Sequence, residues 1–322
     1  MEYIYFNDSA NKPTKLSKII LGVAPFGTAI DKQKSFEIMD YFVSCGGTAI
    51  DTARVYCDWL VDGHNVSEKI IGEWIKSREN RKDVNIITKG GHPRFEIIHT
   101  SRLSREEIRS DIQDSLETLQ TDYIDVYLLH RDDVTRPVSE IMDTLHELVK
   151  EGKTRTIGVS NWTVKRIVEA NEYAKRNNKT PFSVSEIQWS LAECFPKTYN
   201  DDTLVCMNEA EYNDYLKIGI PVIAYSSQAG GIFSCGYKPD LSDAAPKHEK
   251  FVTPKNCAIY KSLLKFCEKR NCKPSAASLR YIIDNKLSAG AIIGCSSLEQ
   301  LKDSMTALEL KLTQQDIDEM RN

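Results

Sequence analysis

Short apolar stretches alternate with amphipathic ones along most of the chain, and this alternation predicts β-strands that are each followed by a helix. The predicted strands are Lys18–Gly27, Thr48–Asp51, Asn85–Lys89, Tyr123–His130, Thr156–Ser160, Ser183–Gln188, Pro221–Ser226 and Ala289–Gly294. The predicted helices are Gln33–Cys45, Ser67–Ser77, Ser104–Leu119, Pro137–Lys150, Val164–Arg176, Asn208–Lys217, Ala258–Lys269, Ser275–Asn285 and Leu298–Met305. Eight such units in 322 residues favour a closed parallel βα barrel.

An open, doubly wound sheet is the alternative for this alternation, and it needs a glycine-rich phosphate turn after its first strand. The first strand here ends Gly22-Val23-Ala24-Pro25-Phe26-Gly27, which lacks that turn. Two more strand-like segments, Tyr3–Phe6 and Lys15–Lys18, flank the turn-rich Asn7–Pro13. They predict a β-hairpin that caps the bottom of the barrel. We therefore expect one α/β domain over residues 1–322, a TIM barrel with this hairpin and extra C-terminal helices.

Composition narrows the class of protein. The net charge of −4 gives no basic surface for nucleic acid, and no apolar run approaches the length of a membrane span. The first residues lack the pattern of a signal peptide. Nine cysteines occur without a C-x-x-C pair, which predicts free thiols in a reducing compartment and no metal site. We expect a cytoplasmic protein, monomeric or homo-oligomeric, that acts on a small molecule.

Four polar residues stand at or just after the C-terminal ends of predicted strands: Asp51, Tyr56, Lys89 and His130. In a parallel βα barrel these ends converge on the face that carries the active site. A phenol has a pKa of about 10, and a neighbouring ammonium lowers it by favouring the phenolate. The group therefore predicts proton transfer by Tyr56 with Lys89 beside it. Taken singly, each of these residues has an ordinary structural explanation.

The motifs around these residues resemble the aldo-keto reductase superfamily, in particular its aryl-alcohol dehydrogenase-like and potassium-channel β-subunit-like branch. The resemblance extends from about residue 16 to about residue 312. The matching motifs are Asp51-Thr52-Ala53 with Tyr56, Ile87-Thr88-Lys89, Asp122-Tyr123-Ile124-Asp125 leading to Leu129-His130, Gly152-Lys153, Ile157-Gly158-Val159-Ser160-Asn161, Gln188, Ala224-Tyr225-Ser226-Ser227 with Gly230-Gly231, and Ile292-Ile293-Gly294.

This resemblance implies a NAD(P)(H)-dependent oxidoreductase that interconverts an aldehyde or ketone with an alcohol. Tyr56 would donate the proton, Asp51 would hold Lys89, and His130 would orient the carbonyl. The hydride would come from a nicotinamide, because no side chain can supply one. The implied cofactor contacts are Ser160, Asn161 and Gln188 at the carboxamide, Tyr225 on the nicotinamide ring, Ser226 and Gly230 at the pyrophosphate, and Gly294, Ser296 and Gln300 at the adenosine end.

The cofactor type and the substrate are less determined. NADP(H) is the usual cofactor of the family, but Cys295–Gln300 contains no arginine and the first base after it is Lys302, so NAD(H) stays open. Aromatic residues and a charged cluster follow several predicted strands and are candidates for the substrate pocket, with core packing and a solvated loop as the alternatives. These candidates are Phe26, Trp59, His92, Trp162 and Trp189, together with Arg131-Asp132-Asp133, which could bind a sugar.

Two further alternatives remain at this stage. A nicotinamide-binding regulatory subunit with little turnover would share the fold and much of the site. An enzyme working in the oxidising direction on a sugar or polyol with NAD would suit the charged cluster. The long irregular stretch Gly230–Lys255 follows the seventh predicted barrel strand. We expect it to lie on the active-site face as a lid or binding loop.

Overall fold

The computed structural model describes residues 1–9 and 12–321. The strands are β1 Tyr3–Asn7, β2 Pro13–Ser17, β3 Ile19–Gly22, β4 Ala49–Asp51, β5 Asn85–Gly90, β6 Ile124–Leu129, β7 Thr154–Ser160, β8 Ser185–Gln188, β9 Val222–Tyr225 and β10 Ala289–Gly294. The helices are α1 Lys32–Ser44, α2 Val66–Arg78, α3 Arg105–Thr118, α4 Val138–Lys150, α5 Val164–Arg176, α6 Pro196–Tyr199, α7 Glu209–Ile218, α8 Pro254–Arg270, α9 Pro274–Ile283, α10 Leu298–Met305 and α11 Gln314–Arg321.

Strands β3 to β10 form one closed barrel in which every neighbouring pair is parallel. The order around the barrel follows the chain, and β10 closes it against β3. Leu21 pairs with Ile50, and Gly22 pairs with Asp51. The predicted eight-stranded βα barrel is therefore confirmed.

The amino-terminal strands β1 and β2 form the predicted antiparallel hairpin, with Tyr3 opposite Ser17 and Asn7 opposite Pro13. Residues 10 and 11 of its predicted turn lie outside the described residues. Leu16 of β2 is fully buried and belongs to the cluster of apolar side chains that fills the barrel interior. The hairpin thus covers the end of the barrel opposite the C-terminal strand ends.

Apolar side chains form two separate layers, as the alternation of side chains along a strand requires. The inner layer contains Ile87, Val126 and Ile223 inside the barrel. The outer layer lies between the strands and the surrounding helices, and it includes Ile86 and Trp74. The polar side chains at the upper strand ends therefore stand on a closely packed apolar base.

The first barrel strand is shorter than its apolar run suggested. β3 ends at Gly22 instead of Gly27. The Val23 N–H still bonds the Asp51 carbonyl of β4, but the Val23 carbonyl then accepts the Phe26 N–H in a turn, and Pro25 has no N–H for a ladder. Gly27 has a φ of +82° and accommodates the turn that follows. Residues 23–27, which were predicted as strand, instead form part of the rim at the C-terminal ends of the barrel strands.

The long stretch between β9 and α8 contains two 3₁₀ helices, Ala229–Gly231 and Pro246–Phe251. His248 joins them: its Nε2 lies 2.9 Å from the Gly230 carbonyl oxygen, and its Nδ1 lies 2.9 Å from Tyr237 Oη. At the C-terminus, α11 contacts α8 through Arg270 and Asp316, 3.0 Å apart. Within the described residues, no helix is both long and apolar enough to cross a bilayer.

Candidate active site

The upper ends of three strands bring together the polar residues singled out in the sequence. Asp51 is the last residue of β4, Lys89 lies near the end of β5, and His130 directly follows β6. Tyr56 lies in the turns after β4. The parallel direction of the strands is the reason that these distant residues meet.

Lys89 stands at the centre of this group and is fully buried. Its Nζ lies 2.8 and 2.7 Å from the two Asp51 oxygens and 2.9 Å from the Thr52 carbonyl oxygen. The same atom donates to Tyr56 Oη at 3.4 Å. An ammonium held by a carboxylate and a carbonyl keeps its charge, and it can stabilise a phenolate at the position of Tyr56.

A second carboxylate on Lys89 was not identified from the sequence. Glu186 of β8 is buried, and its Oε1 lies 3.3 Å from Lys89 Nζ. The strand pattern contained a signal for it, since Glu186 stands two residues before Gln188 and side chains two apart share a face of a strand. An acidic residue on that face of a barrel strand must meet a cation or a proton there.

Burial raises the pKa of Tyr56 above its ordinary value, and the negative charges of Asp51 and Glu186 raise it further. Lys89 lowers the pKa, as the sequence analysis expected, but burial outweighs it. The net direction is thus opposite to the one expected from the sequence. Tyr56 is a phenol at neutral pH, protonated and able to donate.

His130 is a neutral imidazole in this structure. Burial lowers its pKa well below the usual range, and the nearby His92, Arg131 and Lys89 act in the same direction. Its Nδ1 has no hydrogen-bond partner among the described residues. The pKa of His92 is lowered to about 4, again chiefly by burial. An uncharged imidazole beside Tyr56, with a second one packed against it, suits an uncharged substrate group.

A cavity of about 1100 Å³ opens above Tyr56 and runs across the upper face of the barrel. Asp51, Tyr56, His130 and Glu186 line it at the end that contains the polar group. Of the residues implied as cofactor contacts, those that line this cavity are Ser160, Asn161, Tyr225, Ser226, Gly230, Gly294 and Gln300. Gln188 is buried below it and contacts Ser190, and Ser296 bonds Gln300 from outside the lining.

Asn161 and Tyr225 are joined across the cavity floor. Tyr225 Oη donates to Asn161 Oδ1 at 2.7 Å, and Asn161 Nδ2 donates to the His130 carbonyl oxygen at 3.2 Å. Asn161 has a φ of +60°, a left-handed conformation that asparagine tolerates better than most residues. These bonds connect Tyr225 and Asn161 directly to the backbone of His130.

The far end of the cavity suits phosphate groups. Ser275 and Gln300, in the first turns of α9 and α10, both line it, and helix N-termini attract anions. Lys247, Lys273 and Lys302 also line the cavity, as do Glu299 and Asp303, and we call the three lysines the lysine cluster. The cavity therefore offers two helix N-termini and three lysines to a ligand that carries phosphate groups.

Four ring contacts link Tyr56 to the surface. The ring centroids lie 6.0 Å apart for Tyr56 and His130, 4.7 Å for His130 and His92, 5.2 Å for His92 and Phe95, and 5.9 Å for Phe95 and Trp59. We call these five residues the aromatic series. Trp59 and Phe95 are exposed to 53% and 43%, so the outer end of the series reaches the surface. Like His92, they lie outside the lining of the cavity. Phe95 was not identified from the sequence.

The other candidates for the substrate pocket have structural contacts. Phe26, Trp162 and Trp189 are buried in the outer core layer and do not line the cavity. Arg131 does line it, but its Nε donates to Thr203 at 2.8 Å and its guanidinium pairs with Asp201 at 3.1 Å. The neighbouring Asp132 and Asp133 accept bonds from Arg166 and Thr135, respectively. The charged cluster therefore holds loops together, which gives no support to a sugar site.

The described part of the chain was searched for side chains that could bind a metal ion. No group of three or more His, Cys, Asp or Glu side chains there is arranged to hold an ion. All nine cysteines are free thiols.

The chain is similar in sequence to several known proteins. A Saccharomyces cerevisiae protein named for aryl-alcohol dehydrogenase activity is 29% identical over 327 residues, which cover 94% of this chain and 82% of that protein. A norsolorinic acid reductase of Aspergillus flavus is 28% identical over 327 residues, which cover 97% of this chain and 79% of that protein. An NADP(+) aryl-alcohol dehydrogenase of Phanerodontia chrysosporium is 36% identical over 182 residues, or 52% and 44% of the two chains.

The sequence model of the aldo/keto reductase family matches residues 18–322 of this chain. That match includes all eight barrel strands and every residue of the polar group around Lys89. The chain therefore belongs to the aldo/keto reductase family.

Proposed function

We propose that this protein is an NADP(H)-dependent oxidoreductase that interconverts an aromatic aldehyde or ketone with the corresponding alcohol, with Tyr56 as the proton donor. Family membership supports the reaction class. The observation that carries the proposal is the contact of Lys89 with both Asp51 and Tyr56 at the cavity, next to a neutral His130.

The residues have distinct roles in the proposed reaction. When bound, the nicotinamide supplies the hydride. Tyr56 Oη gives its proton to the carbonyl oxygen, and Lys89 Nζ, 3.4 Å away, stabilises the phenolate that remains. Asp51 holds the ammonium in position through two short contacts. Neutral His130 lines the cavity beside Tyr56 and offers a hydrogen bond to the substrate oxygen. In the opposite direction, the phenolate accepts the proton of the alcohol.

Turnover with a simple aldehyde tests this proposal directly. Purified protein given NADPH and a nitrobenzaldehyde should consume NADPH in proportion to the alcohol formed. The proposal would be refuted by cofactor binding without any turnover over a broad set of aryl aldehydes and ketones. That result would favour the regulatory-subunit alternative.

NADP(H) is proposed over NAD(H) because of the lysine cluster. Its three lysines line the cavity, together with the acidic residues Glu299 and Asp303. Lys273 is paired with Asp303 at 2.6 Å, whereas Lys302 has its ammonium 5.6 Å from the Tyr41 ring centroid. Of these two lysines, Lys302 is therefore the better placed to meet an additional phosphate. The NADP(+) named for the Phanerodontia chrysosporium relative supports the same choice.

We expect Lys302→Met to weaken NADPH binding by about tenfold or more, since a hydrogen bond to a charged group contributes about 1.5–3 kcal/mol. NADH binding should change little, because NADH lacks the additional phosphate. Quenching of protein fluorescence by each cofactor measures both affinities. Lys261→Met, on the exposed side of α8, is the matched control. Equal losses for NADPH and NADH would contradict this assignment.

An aromatic substrate is proposed from the aromatic series. It gives an unbroken line of rings from the exposed Trp59 to the reaction end at Tyr56. The two histidines within it are uncharged near neutral pH, so the line is uncharged and suits stacked or edge-on aryl rings. Aryl-alcohol and norsolorinic acid, in the names of the relatives, are consistent with it.

We expect Trp59→Leu and Phe95→Leu each to lower kcat/KM for an aryl aldehyde by roughly three- to tenfold, because an aromatic contact contributes about 0.5–1.5 kcal/mol beyond its area. The value for a short aliphatic aldehyde should stay near that of the parent protein. Steady-state kinetics with both substrates measures the difference. Tyr5→Leu, exposed on the hairpin at the opposite end, is the control. A parallel loss for both substrates would argue against ring recognition.

A further inference from the structure

The loop between α6 and α7 includes a segment, residues 201–207, that is bonded to the C-terminal ends of neighbouring barrel strands, and we call it the anchored segment. Its first anchor is Arg131, which lies two residues after β6 and lines the cavity. Arg131 Nε donates to Thr203 Oγ1 at 2.8 Å, and the guanidinium lies 3.1 Å from Asp201. Asp201 also accepts the Thr203 N–H at 2.9 Å. These bonds fix the start of the segment.

Two further strands hold the rest of the anchored segment. Asn161, directly after β7, accepts the Val205 N–H at 3.2 Å through its Oδ1. Gln188, at the end of β8, donates its N–H to the Val205 carbonyl at 3.2 Å, and its own carbonyl accepts the Met207 N–H at 2.7 Å. The backbone of the segment is therefore paired like a short extra strand at the end of β8.

Leu204 is the residue of the anchored segment that lines the cavity. It is half-buried, whereas Val205 and Met207 pack against the outer core layer. Side chains alternate along an extended backbone, so the bonds that hold Val205 also set the direction of Leu204. Thr203 on one side and Val205 on the other are both bonded. Leu204 thus stands between two fixed neighbours.

The two anchors on either side of Leu204 meet at the backbone of His130. Arg131 Nη1 and Asn161 Nδ2 both donate to the His130 carbonyl oxygen, at 2.9 and 3.2 Å. The ring of His130 in turn lies 6.0 Å from that of Tyr56. An apolar side chain fixed this close to the reacting groups acts as a steric limit, because packed protein does not yield freely to added volume.

The anchored segment and the aromatic series lie on opposite sides of His130. The outer rings of the series belong to the loops after β4 and β5, which precede β6 around the barrel. Asn161 and Gln188, which hold the segment, belong to the ends of β7 and β8 beyond it. A carbonyl group bonded to Tyr56, with its aryl ring along the aromatic series, therefore has its second substituent on the side of Leu204.

We propose that Leu204 is a specificity-determining residue that limits the size of the second substituent on the substrate carbonyl. The substrates are then aryl aldehydes and aryl methyl ketones, in preference to aryl ketones with larger groups. Asp201 is a positioning residue, because it acts through Arg131 and Thr203. The size limit rests on the proposed function, whereas the anchoring of the segment does not.

Kinetics with three phenyl carbonyl compounds tests the size limit. Benzaldehyde, acetophenone and isobutyrophenone share one ring and differ in the second substituent, and kcat/KM of the parent protein should fall in that order. One methylene group in an apolar pocket changes specificity by about 10- to 200-fold. Leu204→Ala should therefore raise the ratio of isobutyrophenone to benzaldehyde by about tenfold or more, and Leu204→Phe should lower it. NADPH affinity, measured by fluorescence quenching, should match the parent protein in both variants.

Leu216→Ala is the matched control for these variants. Leu216 lies on α7, is exposed and does not line the cavity, so its loss should leave the ratio unchanged. A parent-like ratio in Leu204→Ala would overturn the proposal. A loss of NADPH affinity in place of a changed ratio would also overturn it, because Leu204 would then contact the cofactor and not the substrate.

Hydrogen exchange tests the anchoring without turnover. Asp201→Ala removes the carboxylate that Arg131 and Thr203 contact, so the amides of Thr203 and Val205 should exchange about tenfold faster or more. The looser segment should also move the ketone-to-aldehyde ratio toward that of Leu204→Ala. Asp214→Ala, whose carboxylate pairs with Lys217 on the exposed side of α7, should change neither quantity. Parent-like exchange in Asp201→Ala would contradict the role of Asp201.

Failure of the proposed function gives a different result: the parent protein would turn over none of the three compounds. The size limit is then decided by binding, since the affinity of the complex with NADPH for benzaldehyde and for isobutyrophenone gives the corresponding ratio. An equal ratio in the parent protein and in Leu204→Ala would overturn the proposal there as well.

Discussion

Replacing Tyr56 by phenylalanine should lower kcat by about 10²- to 10⁴-fold, the range that a positioned general acid contributes. The substitution removes the hydroxyl that Lys89 Nζ contacts at 3.4 Å and leaves the ring edge against His130. NADPH affinity should be unchanged, because the phenol takes part in the proton step and has no assigned role in holding the cofactor. Single-turnover and steady-state measurements of NADPH oxidation follow the loss.

Tyr123→Phe is the matched control for this variant. Tyr123 precedes β6 at the opposite end of the barrel, where its ring lies between Arg81 and Arg155. Loss of its hydroxyl leaves those contacts in place, so activity should match the parent protein. Full activity in Tyr56→Phe would mean that another group donates the proton, and the mechanism proposed for Tyr56 would be wrong.

Replacing Lys89 by methionine should have the largest effect on stability. The buried Asp51 and Glu186 would lose the one ammonium that both contact. Removing one partner of a buried ion pair typically costs about 3–5 kcal/mol of unfolding free energy, because the remaining charge is left uncompensated. Urea denaturation near neutral pH measures this loss. Turnover should also be abolished, since no cation remains to stabilise the Tyr56 phenolate.

The pH dependence of this loss has a definite sign. Burial raises the pKa of both Asp51 and Glu186 in the folded protein, and removing Lys89 raises them further. A carboxyl whose pKa is higher when folded destabilises the protein above its unfolded pKa, and this effect vanishes below that pKa. The difference in stability between the variant and the parent should therefore be largest near neutral pH and should shrink toward about pH 4.

A second substitution separates charge from packing in this variant. Lys89→Met combined with Asp51→Asn removes one buried carboxylate, so part of the lost stability should return while activity stays absent. Lys261→Met, on the exposed surface of α8, should change the unfolding free energy little. A loss that is the same at every pH and is not reduced by Asp51→Asn would point to packing as its cause.

The barrel and its polar group could be predicted from the sequence for a physical reason. Strand and helix periodicity is a local property, and eight alternating units have few ways to form a closed core. Parallel strands then place their C-terminal ends on one face, whatever the exact angles between helices. Asp51, Lys89 and His130 could therefore be grouped without coordinates. The limits of β3 were wrong because hydrophobicity alone does not reveal where the ladder of hydrogen bonds ends.

Contacts between side chains of separate elements could not be predicted as well from the sequence. The charges of Arg131-Asp132-Asp133 suggested a polar ligand, but Thr203, Asp201 and Arg166 already occupy them. Phe26 and Trp162 follow strands as a pocket residue would, yet both pack in the outer core layer. Sequence position specifies the end of the barrel at which a residue lies, whereas its rotamer and neighbours decide whether it meets a ligand.

By itself, the sequence determined the family, the eight-stranded barrel and the face that carries Asp51, Tyr56, Lys89 and His130, because these follow from local periodicity and from motifs at strand ends. Only the tertiary structure decided the charge balance of the site. Glu186 reaches Lys89 from three strands around the barrel, and burial by all these elements together keeps Tyr56 protonated. Desolvation and Coulomb energies depend on distances between remote parts of the chain, and no local pattern contains them.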